Sequence, residues 1–199
     1  MKRLFFLLLL GLALSYGCRK VNTSPTVINH KIIPNYDFEN WPPGGVIWFL
    51  PGWTTSNDYM DLKVTDVAPD SLNVYHGRYA MRLLATFEGA WAHAKTKFPI
   101  TVHPLGLRAY VKCDLTPSDT VSIRIKIFYK GKEIDSGTWF GTKSIENYKQ
   151  INIPISQFST LADSAMIEIR SGDHIIMNNQ HFVKGSVFWV DYLSFLLKN

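Results

Sequence analysis

Cysteine is scarce in this sequence, whose 199 residues include only Cys18 and Cys113. Secreted domains that depend on disulfides usually carry four or more cysteines, so we expect no disulfide framework. Cys113 lies in the strand-like run LRAYVKCDL, where a free thiol is expected to be buried and inert. The fold must therefore be held together by an apolar core.

Recognisable catalytic motifs are also missing. The sequence has no G-x-S-x-G elbow, no H-E-x-x-H pair and no phosphate-binding loop. Glu88 and Asp135 could serve as paired carboxylates for glycoside hydrolysis, but nothing around them selects them. The histidines show no zinc-ligand spacing; they are His30, His76, His93, His103, His174 and His181. The sequence thus predicts a protein that is not an enzyme.

Charge of one sign is not concentrated anywhere along the chain. The 21 basic and 16 acidic residues give a net charge of +5, and the basic residues are scattered. Nucleic-acid-binding domains gather basic residues into a patch or stripe. We therefore expect no nucleic-acid partner.

The only long apolar run lies near the N-terminus, from Leu4 to Leu14, directly after Lys2 and Arg3. A charged start followed by a short apolar run is typical of a secretory signal. The run has 11 residues, too few to cross a hydrocarbon core about 30 Å thick as a helix. We therefore expect this segment to be removed on export.

The stretch LSYGC, which ends at Cys18, is similar to a lipobox, the site where a bacterial lipoprotein is cleaved and acylated. This resemblance implies a signal peptide over 1–17, a lipidated Cys18 with a tether over 18–29, and one domain over 30–199. The lipid would anchor the protein in the outer membrane of the cell envelope. The basic residues after Cys18 give no acidic export signal, so the periplasmic and surface faces both stay open. Ordinary secretion, with an incidental Cys18, is the alternative.

Period-two alternation dominates the rest of the chain, and no long segment shows a helical apolar period. In TVSIRIKIFY the residues Val121, Ile123, Ile125 and Ile127 face one way, and the polar side chains face the other. Short strands without a covering helix predict an all-β fold, a two-sheet antiparallel β-sandwich. SVFWVDYLSFLL is apolar on both faces and predicts a central strand. The expected strands are 62–67, 78–86, 90–98, 105–114, 120–129, 133–141, 148–154, 164–170 and 186–197.

An acidic residue lies inside that last strand. Strict alternation places Asp191 on one face with the large apolar residues Val187, Trp189, Leu193 and Phe195. A buried carboxylate is costly unless it is paired with a cation or with several hydrogen-bond donors. Two interpretations follow: hydrogen bonds from backbone amides or an arginine, or a Ca²⁺ site built from several oxygen ligands.

Three motifs together resemble the galactose-binding-like jelly-roll domains found among carbohydrate-binding modules. They are NYDFENW followed by PGW, YHGRYAMRL, and the closing GSVFWVDYLSF. They keep the order of that family and span nearly the whole predicted domain. The opening motif also resembles lipoproteins with a domain assigned to carbohydrate metabolism. The resemblance implies a jelly roll whose first and last strands are neighbours.

The same resemblance implies a structural Ca²⁺. In such jelly rolls the ion is often bound by a carboxylate after the first strand, by nearby main-chain oxygens and by the closing aspartate. Carried onto this sequence, the side-chain ligands would be Glu39 and Asp191, with Asp37 as an alternative to Glu39. Many relatives lack the ion.

A candidate glycan site lies in AWAHAKTKF, where Trp91, His93, Lys95 and Lys97 share one face. An aromatic ring stacks on the apolar side of a sugar, and polar groups bind its hydroxyls. The neighbouring candidates are Arg124, Lys126 and Trp139, and Tyr59 marks an alternative site at a loop tip. A plain solvent-facing sheet would show the same alternation.

These observations predict a non-catalytic envelope lipoprotein that captures a glycan or polysaccharide. The alternative is a structural or protein-interaction module of the envelope that binds a partner protein and no sugar. The jelly roll serves both functions, so the preference for sugar rests partly on the resemblance.

Overall fold

The computed structural model describes residues 26–42, 48–59, 66–84, 92–156, 162–171 and 185–198. These form eleven strands and one short 3-10 helix, Ser56–Tyr59. The strands are β1 Thr26–Asn29, β2 Thr54–Thr55, β3 Val67–Asp70, β4 Ala80–Leu84, β5 His93–Pro99, β6 Pro104–Asp114, β7 Val121–Tyr129, β8 Lys132–Gly141, β9 Ile145–Pro154, β10 Ser164–Arg170 and β11 Val187–Lys198. Within this part of the chain, no helix is long and apolar enough to cross a membrane.

The strands form two antiparallel sheets. The first sheet has the order β3-β4-β11-β6-β9, and β1 also pairs with β11. The second sheet has the order β2-β5-β10-β7-β8. The predicted all-β sandwich is confirmed, and β11 is a central strand as its apolar sequence indicates.

The core fills the space between the sheets. Ile123, Ile125 and Ile127 of β7 are fully buried, as the alternation in that strand predicts. Leu107 and Val111 of β6 bury the inner face of the first sheet in the same way. Burying one such side chain contributes about 1.5–3 kcal/mol relative to exposure. A continuous apolar layer can thus hold the two sheets together without a disulfide.

The β7–β8 hairpin turns through two residues with positive φ, Lys130 at 49° and Gly131 at 78°. Two successive positive φ values are typical of a type I′ turn, whose twist matches the flanking strands. After the turn the pairing shifts by one residue between Phe128 and Ile127, and beyond this shift Lys126 is opposite Ser136 and Arg124 is opposite Thr138.

A β-bulge interrupts β11, and the predicted strict alternation in this strand is wrong. The pairing with β6 shifts between Asp191 and Ser194, and Tyr192 has a φ of 50°. Phe188 and Val190 face the core before the bulge, and Leu193 and Phe195 face it afterwards. Asp191 therefore does not share a face with Leu193 and Phe195, because the extra residue of a bulge reverses the alternation.

The predicted tether boundary is also wrong. Residues 26–29 were assigned to the tether by sequence, but they form β1 and pair in register with Phe195–Lys198 of β11. The segment after β1 also contacts β11, where the Leu193 amide donates to the Tyr36 carbonyl at 2.8 Å. The first and last parts of the described chain are thus neighbours, as the jelly-roll resemblance implies.

Candidate functional site

The β3–β4 loop, residues 71–79, folds across the outer face of the first sheet. Its Tyr75 ring stacks on Tyr110 of β6 with 3.6 Å between ring centroids. Its Asn73 accepts a hydrogen bond from Lys112 Nζ at 2.7 Å and one from the Tyr148 hydroxyl at 2.9 Å. Much of this sheet face is therefore already covered by the protein itself.

Asp191 lies beneath this loop and is fully buried. Its Oδ2 accepts hydrogen bonds from the backbone amides of Tyr75 and His76, both at 3.0 Å. Burial raises the pKa of Asp191 to about 6, although the amides of His76, Tyr75 and Tyr192 oppose this shift; the charge of Glu39 adds to it. Asp191 is thus an acceptor for backbone amides, as the first interpretation of this residue predicts.

Glu39 binds the same loop through backbone amides that lie shortly after those bound by Asp191. Its Oε1 accepts hydrogen bonds from the backbone amides of Arg78 and Tyr79, at 2.7 and 2.9 Å. Between the two pairs of amides lies Gly77, whose φ is 77° and whose missing side chain leaves room for the Glu39 carboxylate. Asp191 and Glu39 together attach one turn of the loop to the body of the sandwich.

The fit of these carboxylates to Ca²⁺ is partial. Asp191 Oδ1 is buried and has no hydrogen-bond partner, and Glu39 Oε2 lies 3.9 Å from Arg78 Nε. Asp37 contributes an oxygen 3.5 Å from the Glu39 amide. Ca²⁺ usually takes six to eight oxygens, and within the described ranges no group of three or more His, Cys, Asp or Glu could hold a metal ion. The ion stays a prediction from the resemblance.

The outer face of the second sheet gathers four of the residues that the sequence proposes for a glycan site. The register of β5, β10 and β7 places His93 and Lys95 two strands away from Ser122 and Arg124. Lys126 follows Arg124 on the same face, opposite Met166 of β10. Polar side chains from three adjacent strands thus lie on one face, where Met166 separates Lys97 from Lys126.

Two further residues of this surface were missed by sequence. Glu168 lies between Lys95 and Arg124 in the register, and Arg170 lies between His93 and Ser122. Their side chains are only 13% and 17% exposed, and Arg170 Nη2 donates to Glu168 Oε1 at 2.7 Å. The alternation in SAMIEIR could have indicated them, but their position between two other strands depends on the sheet order.

The predicted position of Trp139 on this surface is wrong. Trp139 is opposite Ile123, whose side chain faces the core, and its ring stacks on Phe188 at 6.2 Å between centroids. The next residue, Phe140, is opposite Ser122 and is 36% exposed. The register of the hairpin, and not the aromatic character of the residue, decides which of the two faces outward.

Several predicted positions lie outside what the structure describes. Trp91, Cys18, Glu88, His174, His181 and residues 62–65 of the predicted strand 62–67 fall outside the described residues. Tyr59 ends the 3-10 helix, but its side chain lies outside the described part. Their proposed roles stay predictions.

His93 is held mainly in its neutral form. Burial lowers the pKa of this imidazole, the charge of Glu168 opposes the shift, and the charges of Arg170 and Lys95 add to it. A neutral imidazole has one donor and one acceptor nitrogen. His93 is therefore suited to hydrogen bonds with hydroxyl groups.

The solved structures that match this chain include carbohydrate-binding modules. A family 61 carbohydrate-binding module, solved with β-1,4-galactotriose, matches with a TM-score of 0.50 at 15% identity. The match covers 84% of this chain and 98% of that module. The chain has the jelly-roll fold of carbohydrate-binding modules.

The carbohydrate-binding-module fold of this chain also matches proteins of other descriptions. A candidate glycoside hydrolase from Bacteroides thetaiotaomicron matches with a TM-score of 0.61 at 10% identity, covering 82% of this chain and 71% of that one. A Stig cyclase from Fischerella matches with a TM-score of 0.50 at 12% identity, covering 86% and 98%. No protein-family model and no curated protein sequence matches the chain. The site residues must therefore decide the function.

Proposed function

We propose that this protein is a non-catalytic glycan-binding module of the cell envelope, and that the glycan binds on the outer face of the second sheet. The observation that carries this proposal is the row of hydrogen-bonding side chains on that face, which β5, β10 and β7 bring into register. The fold it shares with carbohydrate-binding modules supports the same function.

The chemistry of this surface suits a sugar. Lys95 and Arg124 offer donors for hydroxyls, and Phe140 offers an exposed apolar ring at the β8 edge. Glycan sites combine a few well-placed polar groups with an aromatic ring that stacks on the sugar. Trp91, immediately before the described part of β5, is proposed as a second stacking ring.

Binding should depend on this face and on no other. We expect Lys95→Ala combined with Arg124→Ala to weaken binding of a glycan ligand about tenfold or more, since each lost hydrogen bond to a charged group is worth about 1.5–3 kcal/mol. Phe140→Ala should also weaken binding, and Trp91→Ala should abolish the stacking contribution. The measurement is calorimetric titration with a panel of polysaccharides.

The matched control is Lys149→Ala, an exposed cation on β9 of the first sheet. It should bind like the unchanged protein. If Trp91→Ala and the Lys95→Ala/Arg124→Ala variant both bind the glycan as tightly as the unchanged protein, the binding site is not on this face. If the protein binds no glycan of the panel but retains an envelope protein in a pull-down, the protein-interaction function replaces ours.

We further propose that Cys18 carries a lipid that anchors the protein in the outer membrane. The lipobox-like LSYGC sequence supports this proposal. Cys18→Ser should move the protein from the membrane fraction to the soluble fraction, and mass spectrometry should find acyl chains on the N-terminal peptide of the unchanged protein. A soluble, unacylated parent protein would contradict the anchor.

A further inference from the structure

The outer face of the second sheet gathers cations that are far apart in the sequence. Five of them point outward from three adjacent strands: Lys95, Lys97, Arg124, Lys126 and Arg170. Only two carboxylates face the same way from these strands and β8, those of Glu168 and Glu133. On these strands, five positive and two negative groups give a net charge of +3, and two further carboxylates, Asp58 and Asp163, lie close enough to interact with His93 and Lys97 respectively.

Both carboxylates are already engaged. Glu168 accepts from Arg170 Nη2 at 2.7 Å, and Glu133 accepts from Lys126 Nζ at 2.6 Å. They leave the charges of Lys95, Lys97 and Arg124 without a carboxylate partner among the described ion pairs. The surface is thus arranged to receive negative charge from outside.

Arg124 is the accessible guanidinium of this face. Arg170 is only 17% exposed and its Nε and Nη1 are buried, so a ligand on the surface does not reach these two atoms. Arg124 is half-buried, and its Nε donates to Thr138 Oγ1 at 3.2 Å. A guanidinium binds a carboxylate or sulfate through two parallel hydrogen bonds.

From these contacts we propose that the glycan bound on this face is acidic, a polysaccharide with repeated carboxylate or sulfate groups, and that Arg124 is its main anchoring residue. This inference rests on the proposed glycan-binding function and adds the chemical class of the ligand. Arg124 and Lys95 bind its anionic groups, and Lys97 contributes a neighbouring charge.

The dimensions of the surface agree with an extended ligand. Neighbouring strands lie about 4.8 Å apart, and alternate residues along a strand lie about 6.7 Å apart. The cations of β5, β10 and β7 therefore cover roughly 10 by 13 Å, the footprint of a short oligosaccharide. Charges repeated along a polysaccharide could contact several of them at once.

A neutral glycan fits this face less well. The described aromatic side chains on it are Phe140 and Phe128, and Lys97 already lies over the Phe128 ring at 4.5 Å. Sites for neutral sugars depend on open aromatic rings for most of their contact area. On this face cationic side chains outnumber aromatic rings. Electrostatic attraction therefore has to supply much of the affinity for the glycan.

The test compares ligands that differ only in charge. The full-length protein in detergent is titrated with polygalacturonate and with its methyl ester, which has the same backbone without the carboxylates. Binding should be at least tenfold tighter for the charged form and should weaken as sodium chloride rises from 20 to 500 mM. Alginate carries only carboxylates and carrageenan only sulfates, so these two arms identify the anionic group.

The variants test the anchor. Arg124→Gln should weaken binding of the charged ligand about tenfold or more. A Lys95→Gln/Arg124→Gln double variant should weaken it further, and neither change breaks the pair between Arg170 and Glu168. Lys149→Gln on β9 is the matched control, and the melting temperature of every variant is measured beside its affinity.

Each remaining outcome overturns the inference in a distinct way. If the methyl ester or neutral galactan binds as tightly as polygalacturonate, the ligand class is wrong while the glycan-binding function stands. If no glycan binds, both fail. If a DNA oligonucleotide competes equally with the acidic glycan, or if Arg124→Gln and the double variant bind like the control, the face is not a specific site for an acidic glycan.

Discussion

Asp191→Ala is expected to lower the free energy of unfolding by about 3 kcal/mol. The change removes the acceptor of the Tyr75 and His76 amides, and each partly buried donor left without a partner costs about 1–3 kcal/mol. It also leaves a small cavity beneath the β3–β4 loop. Relief of a buried charge offsets part of this loss, because burial already raises the pKa of Asp191.

Asp191→Asn separates the hydrogen bonds from the charge. The asparagine oxygen can accept from the same two amides, so we expect a loss of less than about 1 kcal/mol at neutral pH. Asp191 has a pKa of about 6 in the folded protein, above its ordinary value of 3.8. The folded protein therefore binds the proton more tightly than the unfolded chain. The stability from this group is present below about pH 4 and is lost as the pH rises through about 6.

The measurement is urea denaturation of the parent protein, Asp191→Ala and Asp191→Asn from pH 4 to 8, in a chelator. The stability of Asp191→Asn relative to the parent should rise between pH 4 and 6 and then stay level. A difference that does not change with pH would contradict the shifted pKa of Asp191. A thermal unfolding experiment with calcium and with chelator tests the predicted ion. Equal melting temperatures under the two conditions would contradict it.

Gly77→Ala is expected to lower the free energy of unfolding by about 3 kcal/mol. Alanine is strained at the φ of 77° that Gly77 adopts, by roughly 1–2 kcal/mol. Its methyl group would also overlap Oε1 and Cδ of Glu39. The Glu39 side chain is flexible and can move away, but only by releasing the amides of Arg78 and Tyr79.

A double-mutant cycle with Glu39→Ala divides this cost between its two causes. Without the Glu39 carboxylate, Gly77→Ala should cost only the backbone strain, about 1–2 kcal/mol. The free energy of coupling between the two sites should therefore be about 1–2 kcal/mol. If Gly77→Ala costs the same in both backgrounds, Glu39 does not hold the loop as described. Thermal and urea unfolding of the four proteins provide the measurement.

The sequence predicted the strands well because this fold follows local alternation. In β7 every residue from Val121 to Ile127 faces the side that its polarity indicates, except Ser122, a polar residue that is buried on the outer face.

The errors arise where one residue changes the register. The bulge at Tyr192 changes which residues of β11 face the core, and no side-chain pattern in FWVDYLSF indicates a bulge. The same limit applies to Trp139 and Phe140, which are both aromatic, so polarity could not show which one points inward. Register depends on pairing with a distant strand, and local sequence holds little information about it.

The candidate site shows a similar division. Lys95, Arg124 and Lys126 were predicted from alternation within single strands. Arg170 was missed because β10 lies between β5 and β7 in the sheet but follows both in the chain. Charges that are scattered along the sequence become one cationic surface only when that strand order is known. The sequence also did not predict that residues 71–79 lie across the outer face of the first sheet.

The central claim is that the outer face of the second sheet binds a glycan. NMR spectroscopy of the isotope-labelled protein, titrated with the tightest-binding oligosaccharide of the panel, tests it most directly. We expect the largest chemical-shift changes at the amides of His93–Lys97, Ser122–Lys126 and Glu168–Arg170. Changes confined to residues 71–79 or to the 3-10 helix that ends at Tyr59 would contradict the claim.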